Sequence, residues 1–416
     1  MKSAHETNPW RGGETIDSAS TAVASEVLEI QTTRTHIKFL DGMRGLAALY
    51  VCLTHSWNFP SGNGIALSRA HRILRFLLEG GHCAVSVFIV LSGYCLTLPY
   101  LNGKRLKAGE FFATRAMRIL PPYYACLLIC LLLNYTLLSG KATGFWVETS
   151  PIDTRAILLH VFMLHDWSAA SASKIDYVLW SVGVEWKIYF LLPVLVLFGR
   201  RFGFMRTAAA SVVASFAVWV LLYRHDWLNP GAFGSSVYYV GLFACGMAAA
   251  VYVDQCQQGR ARFDFKWIGV AMACLTVIVL ATEFKKVGPL QVASLFSGLL
   301  ACFVIVWMSL RERSAMKSFL STGPITGLGK ISFSLYLIHP PLLQLSWTYL
   351  IEPNFPASRF LIPITFAISV AVSIAGAYLF FWAFEFPSLM WIRRTRAARS
   401  RRTMGFAVAD RAESAR

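Results

Sequence analysis

The chain has 416 residues, of which 56% are hydrophobic and only 15% charged; soluble domains carry roughly 25% charged residues, so a water-soluble globular fold is excluded. Its net charge of +17 meets no basic-aromatic patch, zinc spacing or recognition helix, which excludes nucleic acid as the partner. The nine cysteines, an odd number scattered mostly within apolar stretches, give neither a disulfide nor a zinc framework, so no metal is expected.

In chain order, residues 1–36 form a polar tail without the apolar core and cleavage site of a secretory signal. Apolar runs follow at 39–57, 79–100, 121–139, 180–199, 207–223, 235–254, 267–283, 292–310, 331–351 and 361–386. Each is long enough for a hydrocarbon core, which predicts an all-α, polytopic membrane helix bundle of about 10 transmembrane helices over residues 37–390. With the amino terminus inside, the inward stretches carry more than twice the Lys and Arg of the outward ones. Both termini are therefore expected in the cytoplasm and the chain in the inner membrane. Residues 391–416, with Arg393, Arg394, Arg396, Arg399, Arg401 and Arg402, read as a basic tail against anionic lipid.

Titratable side chains inside spans are costly and count as functional candidates. The first span, LDGMRGLAALYVCLTHSW, carries Asp41, Arg44 and His55. Arg44 and His55 fall on nearly the same helix face, about 16 Å apart along the axis, with Arg44 toward the cytoplasm and His55 toward the outside. Arg44 alone can pair with Asp41 or snorkel, and a lone buried histidine is more often structural than catalytic. The combination carries the functional reading.

In the second span, HCAVSVFIVLSGYCL, Ser86, Ser92 and Gly93 suit close helix contact. Ser92 lacks a G-x-S-x-G elbow for a nucleophile. In FFATRAMRILPPYY, Arg115 and Arg118 share a helical face, and Pro121-Pro122 is expected to start the next span. The pair then sits at the cytoplasmic surface, either gripping phosphates or setting topology. Residues 156–164 are apolar but too short to cross, and are expected to be interfacial or re-entrant.

Within WSVGVEWKIYFLLP, Glu185 lies about 10 Å below the outer end, level with His55. It either orients the imidazole for general-base work or forms a salt bridge with Lys187 or another span. In LGKISFSLYLIHPPLLQ, His339 reads as a structural histidine bonding across helices, with Ser332 and Tyr336 on a similar face. Glu385, in FWAFEFPSL, is expected to pair with Arg44, Arg115 or Arg118.

The ordered set LDGMRGLAALYVCLTH, FIVLSGYCL, RAMRILPPYY, WSVGVEWKIYFLLP, ISFSLYLIHP and FEFP resembles the acyltransferase 3 family of bacterial membrane proteins over roughly residues 37–390. Departures are small: Ile89 stands where a Phe is common, and Lys187 and Ile188 where Gln and Phe are frequent. The resemblance implies transfer of an acyl group, most often acetyl, from cytoplasmic acyl-CoA to a hydroxyl of a cell-surface carbohydrate such as O-antigen or exopolysaccharide. Some members of the family acylate small molecules such as macrolides instead. By motif position, His55 and Arg44 match the family's catalytic pair and Arg115 and Arg118 its arginine motif. No hydrolase-like domain is expected after the membrane portion, and acceptor specificity is expected in the spans, the loops or a partner. A transporter or flippase is the rival class, and neither repeated halves nor broken helices are evident to support it.

Overall fold

The computed structural model describes residues 37–61, 69–101, 103, 105–224, 236–285, 290–355, 360–396 and 398. The predicted amino-terminal tail and most of the basic carboxy-terminal tail lie outside these residues. Among the described residues there are helices and turns and no strand.

The principal helices are α1 (Lys38–Ser61), α2 (Arg69–Leu78), α3 (Gly81–Thr97), α4 (Ala108–Tyr135), α5 (Thr154–Val161) and α6 (Leu179–Phe202). They continue with α7 (Phe204–Arg224), α8 (Tyr239–Gln257), α9 (Phe265–Lys285), α10 (Leu290–Leu310), α11 (Ser332–Ser346) and α12 (Leu361–Phe380). Every predicted apolar run falls on one of them. Among the described residues seven helices are long and apolar enough to cross a membrane, so the chain is an all-α, multi-pass membrane protein. α1 and α11 are not among the seven, and these helices carry Arg44, His55 and His339. α9 contributes a shorter apolar stretch, Phe265–Ala281.

In lipid, helices associate by close packing more than by hydrophobic exclusion, and small residues let backbones approach. The crossing of α3 and α8 follows this rule. A Cβ on Gly93 would lie 2.1 Å from the Phe243 carbonyl oxygen, and one on Gly246 would lie 2.2 Å from that of Val90. A similar contact seats the start of α1 against the short helices Ala315–Leu320 and Gly323–Lys330: a Cβ on Gly42 would meet Leu320 O at 2.0 Å. Farther along α1, Cys52 and Phe59 join Leu343, Trp347, Ile351 and Leu361 in a buried cluster that ties α1 to α11 and α12.

The sequence placed the start of the third span at Pro121. The helix instead begins at Ala108 and runs through both prolines to Tyr135. Pro121 and Pro122 withdraw only the donors that would meet Met117 O and Arg118 O, and the flanking turns hold. Arg115 and Arg118 consequently belong to the same helix as the apolar span.

The connection between α4 and α6 is folded onto the bundle. α5, the apolar piece expected to be interfacial or re-entrant, is a two-turn helix capped by Asp153, whose side chain accepts the Ala156 N–H at 2.7 Å. Ala156 and His160 are buried while Leu158 and Phe162 are exposed, so the helix presents one inward and one outward apolar face. At the end of the connection, Ile175 takes φ 67°, an outlier for a β-branched residue. It is held there by its N–H to Thr149 O at 3.1 Å and by its carbonyl, which accepts from Asn134 Nδ2 at 3.1 Å.

Candidate functional site

α1, α3, α4, α6 and α11 enclose a cavity of about 220 Å³. Its polar wall comprises Arg44, Ser92, Arg115, Arg118, Glu185 and Tyr189, and Ser181 and Tyr336 also face it. Three guanidinium groups in one small cavity form a concentrated positive field. Arg44 is paired with Asp41 one turn earlier at 3.0 Å, one of the two arrangements its sequence position allowed. Arg115 lies beside Tyr189 and Glu185, and its Nε is buried without a hydrogen-bond partner. A buried charged donor left open is costly, so this nitrogen invites an acceptor from outside the protein.

Glu185 takes neither role expected for it. Its Oε1 accepts the Ser92 hydroxyl at 2.7 Å and the Tyr189 hydroxyl, which also lies 3.1 Å from Ser92 Oγ. The sequence gives the depth of Glu185 along α6 but not which neighbouring helix its face meets, and it meets α3. Lys187 pairs instead with Asp166 of the α4–α6 connection and donates to Met163 O at 3.2 Å. Glu385 accepts the Ser334 hydroxyl at 2.6 Å and makes no ion pair among the described residues. Arg118 bears on it only at a distance. A serine on α11 thus fills the place predicted for an arginine.

His55 faces a different set of neighbours. Its Nδ1 lies 2.8 Å from Nε2 of His339 on α11, so His339 does bond across helices, and its partner is the other candidate histidine. Tyr177 and Phe145, from the α4–α6 connection, pack edge-on against the His55 ring at centroid distances of 5.0 and 5.9 Å. His55 is half-buried and His339 fully buried. His55 does not line the cavity; Tyr336 links the two regions, facing the cavity and lying 6.0 Å from the His339 ring. The Tyr336 hydroxyl is fixed by Ser181 Oγ at 2.7 Å.

The α4–α6 connection carries groups that sequence reading missed, because a loop has no hydrophobic period to expose them. Asp176 Oδ1 accepts the Val178 N–H at 3.1 Å, and its Oδ2 lies 3.6 Å from the Cys130 thiol and 3.9 Å from that of Cys126. Burial pushes the Asp176 carboxyl up to about 7, against the pull of these hydrogen bonds. Burial also raises the Asp166 carboxyl despite the Lys187 ammonium beside it, and lowers His160 to about 4. Cys126, Cys130 and Asp176 are the one group among the described residues whose ligand atoms lie close enough to hold a metal ion. Their bonds to one another and to Leu337 O satisfy them as a hydrogen-bonded cluster.

A half-buried imidazole held by a second imidazole can accept a proton, and an arginine-lined cavity next to it can hold an anion. A family model described as an acyltransferase domain matches residues 37–382. YrhL of Bacillus subtilis (strain 168), provisionally named a peptidoglycan O-acetyltransferase, is 25% identical over 75% of this chain and 49% of its own length. The O-acetyltransferase OatA of Staphylococcus aureus (strain NCTC 8325 / PS 47) is 22% identical over 81% of this chain and 55% of its own. Nodulation protein 10 of Rhizobium leguminosarum bv. viciae is 28% identical over 52% of this chain and 60% of its own. The chain spans about half the length of the first two relatives. No solved structure matches it.

Proposed function

Because the chain belongs to the acyltransferase 3 family, we propose that it transfers an acyl group, acetyl above all, from cytoplasmic acyl-CoA to a hydroxyl of a cell-surface carbohydrate. The observation that carries the site assignment is the pairing of a cationic cavity with an adjoining histidine pair through Tyr336. The name of YrhL favours a peptidoglycan-like acceptor within the carbohydrate class.

In this reading the protein lies in the inner membrane with Arg115 and Arg118 toward the cytoplasm and His55 toward the outside, the orientation that the charge distribution favours. Phosphates of the donor engage Arg115, whose open Nε supplies a charge-assisted bond, and Arg118. A cavity of about 220 Å³ is smaller than the usual pocket for a drug-sized ligand, so it takes the acyl-pantetheine end and leaves the nucleotide outside. That end runs past Arg44 to Tyr336, beside the histidines. His55 removes the proton of the acceptor hydroxyl as its oxygen attacks the thioester carbonyl. The C–O bond forms, the C–S bond breaks, and the proton passes from His55 to the departing sulfur to give free CoA thiol. Glu185, bonded to Ser92 and Tyr189, shapes the cavity and balances its arginines.

A deletion strain complemented with wild-type or His55→Ala protein, at matched protein levels, tests the reading by mass spectrometry of its surface glycans. Acyl groups are expected with wild type and absent with the variant. Full acylation with His55→Ala overturns the reading.

A further inference from the structure

The segment His339-Pro340-Pro341 sits in the middle of α11, which stays helical from Ser332 to Ser346. In a helix the carbonyl of residue i receives the N–H of residue i+4, and proline has none. Pro340 therefore leaves Tyr336 O without its helical donor, and Pro341 does the same to Leu337 O. Both carbonyls are buried away from water and need replacements. Leu337 O receives the Cys126 thiol at 3.2 Å. Tyr336 O receives Nδ1 of His339 at 2.9 Å, which also lies 3.0 Å from Leu335 O.

These contacts settle where the protons are. A carbonyl only accepts, so the proton of neutral His339 is on Nδ1 and its Nε2 carries a lone pair. That Nε2 lies 2.8 Å from Nδ1 of His55, and a hydrogen bond there requires the proton on the His55 nitrogen. A neutral imidazole has one N–H, so His55 is left with its lone pair on Nε2. Two successive hydrogen bonds thus run from the carbonyl that Pro340 frees, through His339, to His55, whose Nε2 stays open.

We infer that His339 is the positioning residue of the proposed transfer: it holds His55 in the tautomer whose Nε2 is the base, and its own lone pair braces the Nδ1–H of the imidazolium formed when the hydroxyl proton arrives. The inference rests on the proposed role of His55. In serine hydrolases a buried aspartate performs this task. Here a neutral imidazole performs it, so no second charge has to be buried beside the acyl donor. Pro340 is part of the device, because it makes a backbone carbonyl available to fix the orienting ring.

The test joins a structural and a kinetic readout. Histidine-selective ¹⁵N NMR of the purified, detergent-solubilised protein, assigned with His55→Ala and His339→Gln, reports which nitrogen of His55 carries the proton. The Nδ1–H form is expected in wild type, and the Nε2–H form overturns the inference whatever the activity. Transfer from acetyl-CoA is then measured in proteoliposomes. His339→Leu is expected to lower kcat by on the order of 100-fold with an unchanged KM for the donor and a displaced pH–rate profile. His339→Gln, whose amide oxygen can accept the His55 Nδ1–H, is expected to restore at least a tenth of the wild-type rate. Should His339→Leu fail to insert, the Gln variant against wild type and the NMR tautomer still decide. If His339→Leu keeps the wild-type rate and pH profile while His55→Ala is inactive, the positioning role is wrong and the base assignment stands. If His55→Ala is active, the reaction scheme itself fails, although the tautomer result remains.

Discussion

The cationic cavity and the histidine pair are neighbours built on opposite principles. The cavity groups Arg44, Arg115, Arg118 and Glu185, and leaves Arg115 Nε without a partner. The pair of His55 and His339 holds only neutral-capable rings, braced by backbone carbonyls and covered by Tyr177 and Phe145. The first region is unfinished without an anion, whereas the second is complete as it stands except for one nitrogen. Binding a charged donor and moving a proton demand different surroundings, and Tyr336 lets the two lie side by side without mixing them.

Separating the two regions by mutation is the way to break this contrast. Outside the histidine pair, the largest effect is expected from Arg115→Ala, which should raise the KM for acetyl-CoA by about 10- to 100-fold, the worth of a charge-assisted hydrogen bond. The kcat at saturating donor should stay within about threefold. Initial rates against donor concentration in proteoliposomes check it, and an unchanged KM with a fallen kcat would move Arg115 from binding to chemistry.

Asp176→Asn sharpens the other side, because Asp176 anchors the connection that carries Tyr177. The carboxyl stands near 7 in the folded protein, against about 3.9 when unfolded. Between these values the folded state holds a proton that the unfolded chain has released, so stability falls as pH rises through that window and is lowest above it. Asparagine keeps the acceptor for Val178 N–H and removes the titration. The melting temperature of the variant should match wild type near pH 4 and exceed it by a few degrees above pH 7. A constant difference across that range would place the group elsewhere in the balance.

The smallest effect is expected at Tyr177, whose hydroxyl is buried without a partner while its ring packs on His55. Tyr177→Phe keeps the ring and deletes an unsatisfied group, so stability should be unchanged or higher by less than about 1 kcal/mol. A clear loss in thermal denaturation would reveal a bond to that hydroxyl.

Hydropathy made the helices legible because it measures length against the thickness of a bilayer, and each apolar run became a helix. It failed at Pro121, where the rule that proline opens helices was stronger in the sequence than in the molecule. Among the site residues, Arg44 and Glu185 were found as charges inside spans and Arg115 and Arg118 as a pair at the cytoplasmic end of one, and one cavity gathers all four. Apart from Arg44 with Asp41, the pairings were not found, since position along a helix says nothing about which helix stands opposite: Glu185 meets Ser92, Lys187 meets Asp166, and His55 meets His339. Asp176 and Tyr177 were invisible for another reason, lying where Ile175 turns the chain into a conformation no periodicity announces.

The thiol of Cys126 on Leu337 O has a bearing on how the protein is made. A carbonyl stripped of its helical donor costs several kcal/mol in hydrocarbon, so α11 entering lipid alone would carry that debt at Pro341. Its creditor is α4, which leaves the ribosome some two hundred residues earlier. The donor that α11 lacks is therefore synthesised before it, and packing α11 against α4 supplies the bond that Pro341 removes.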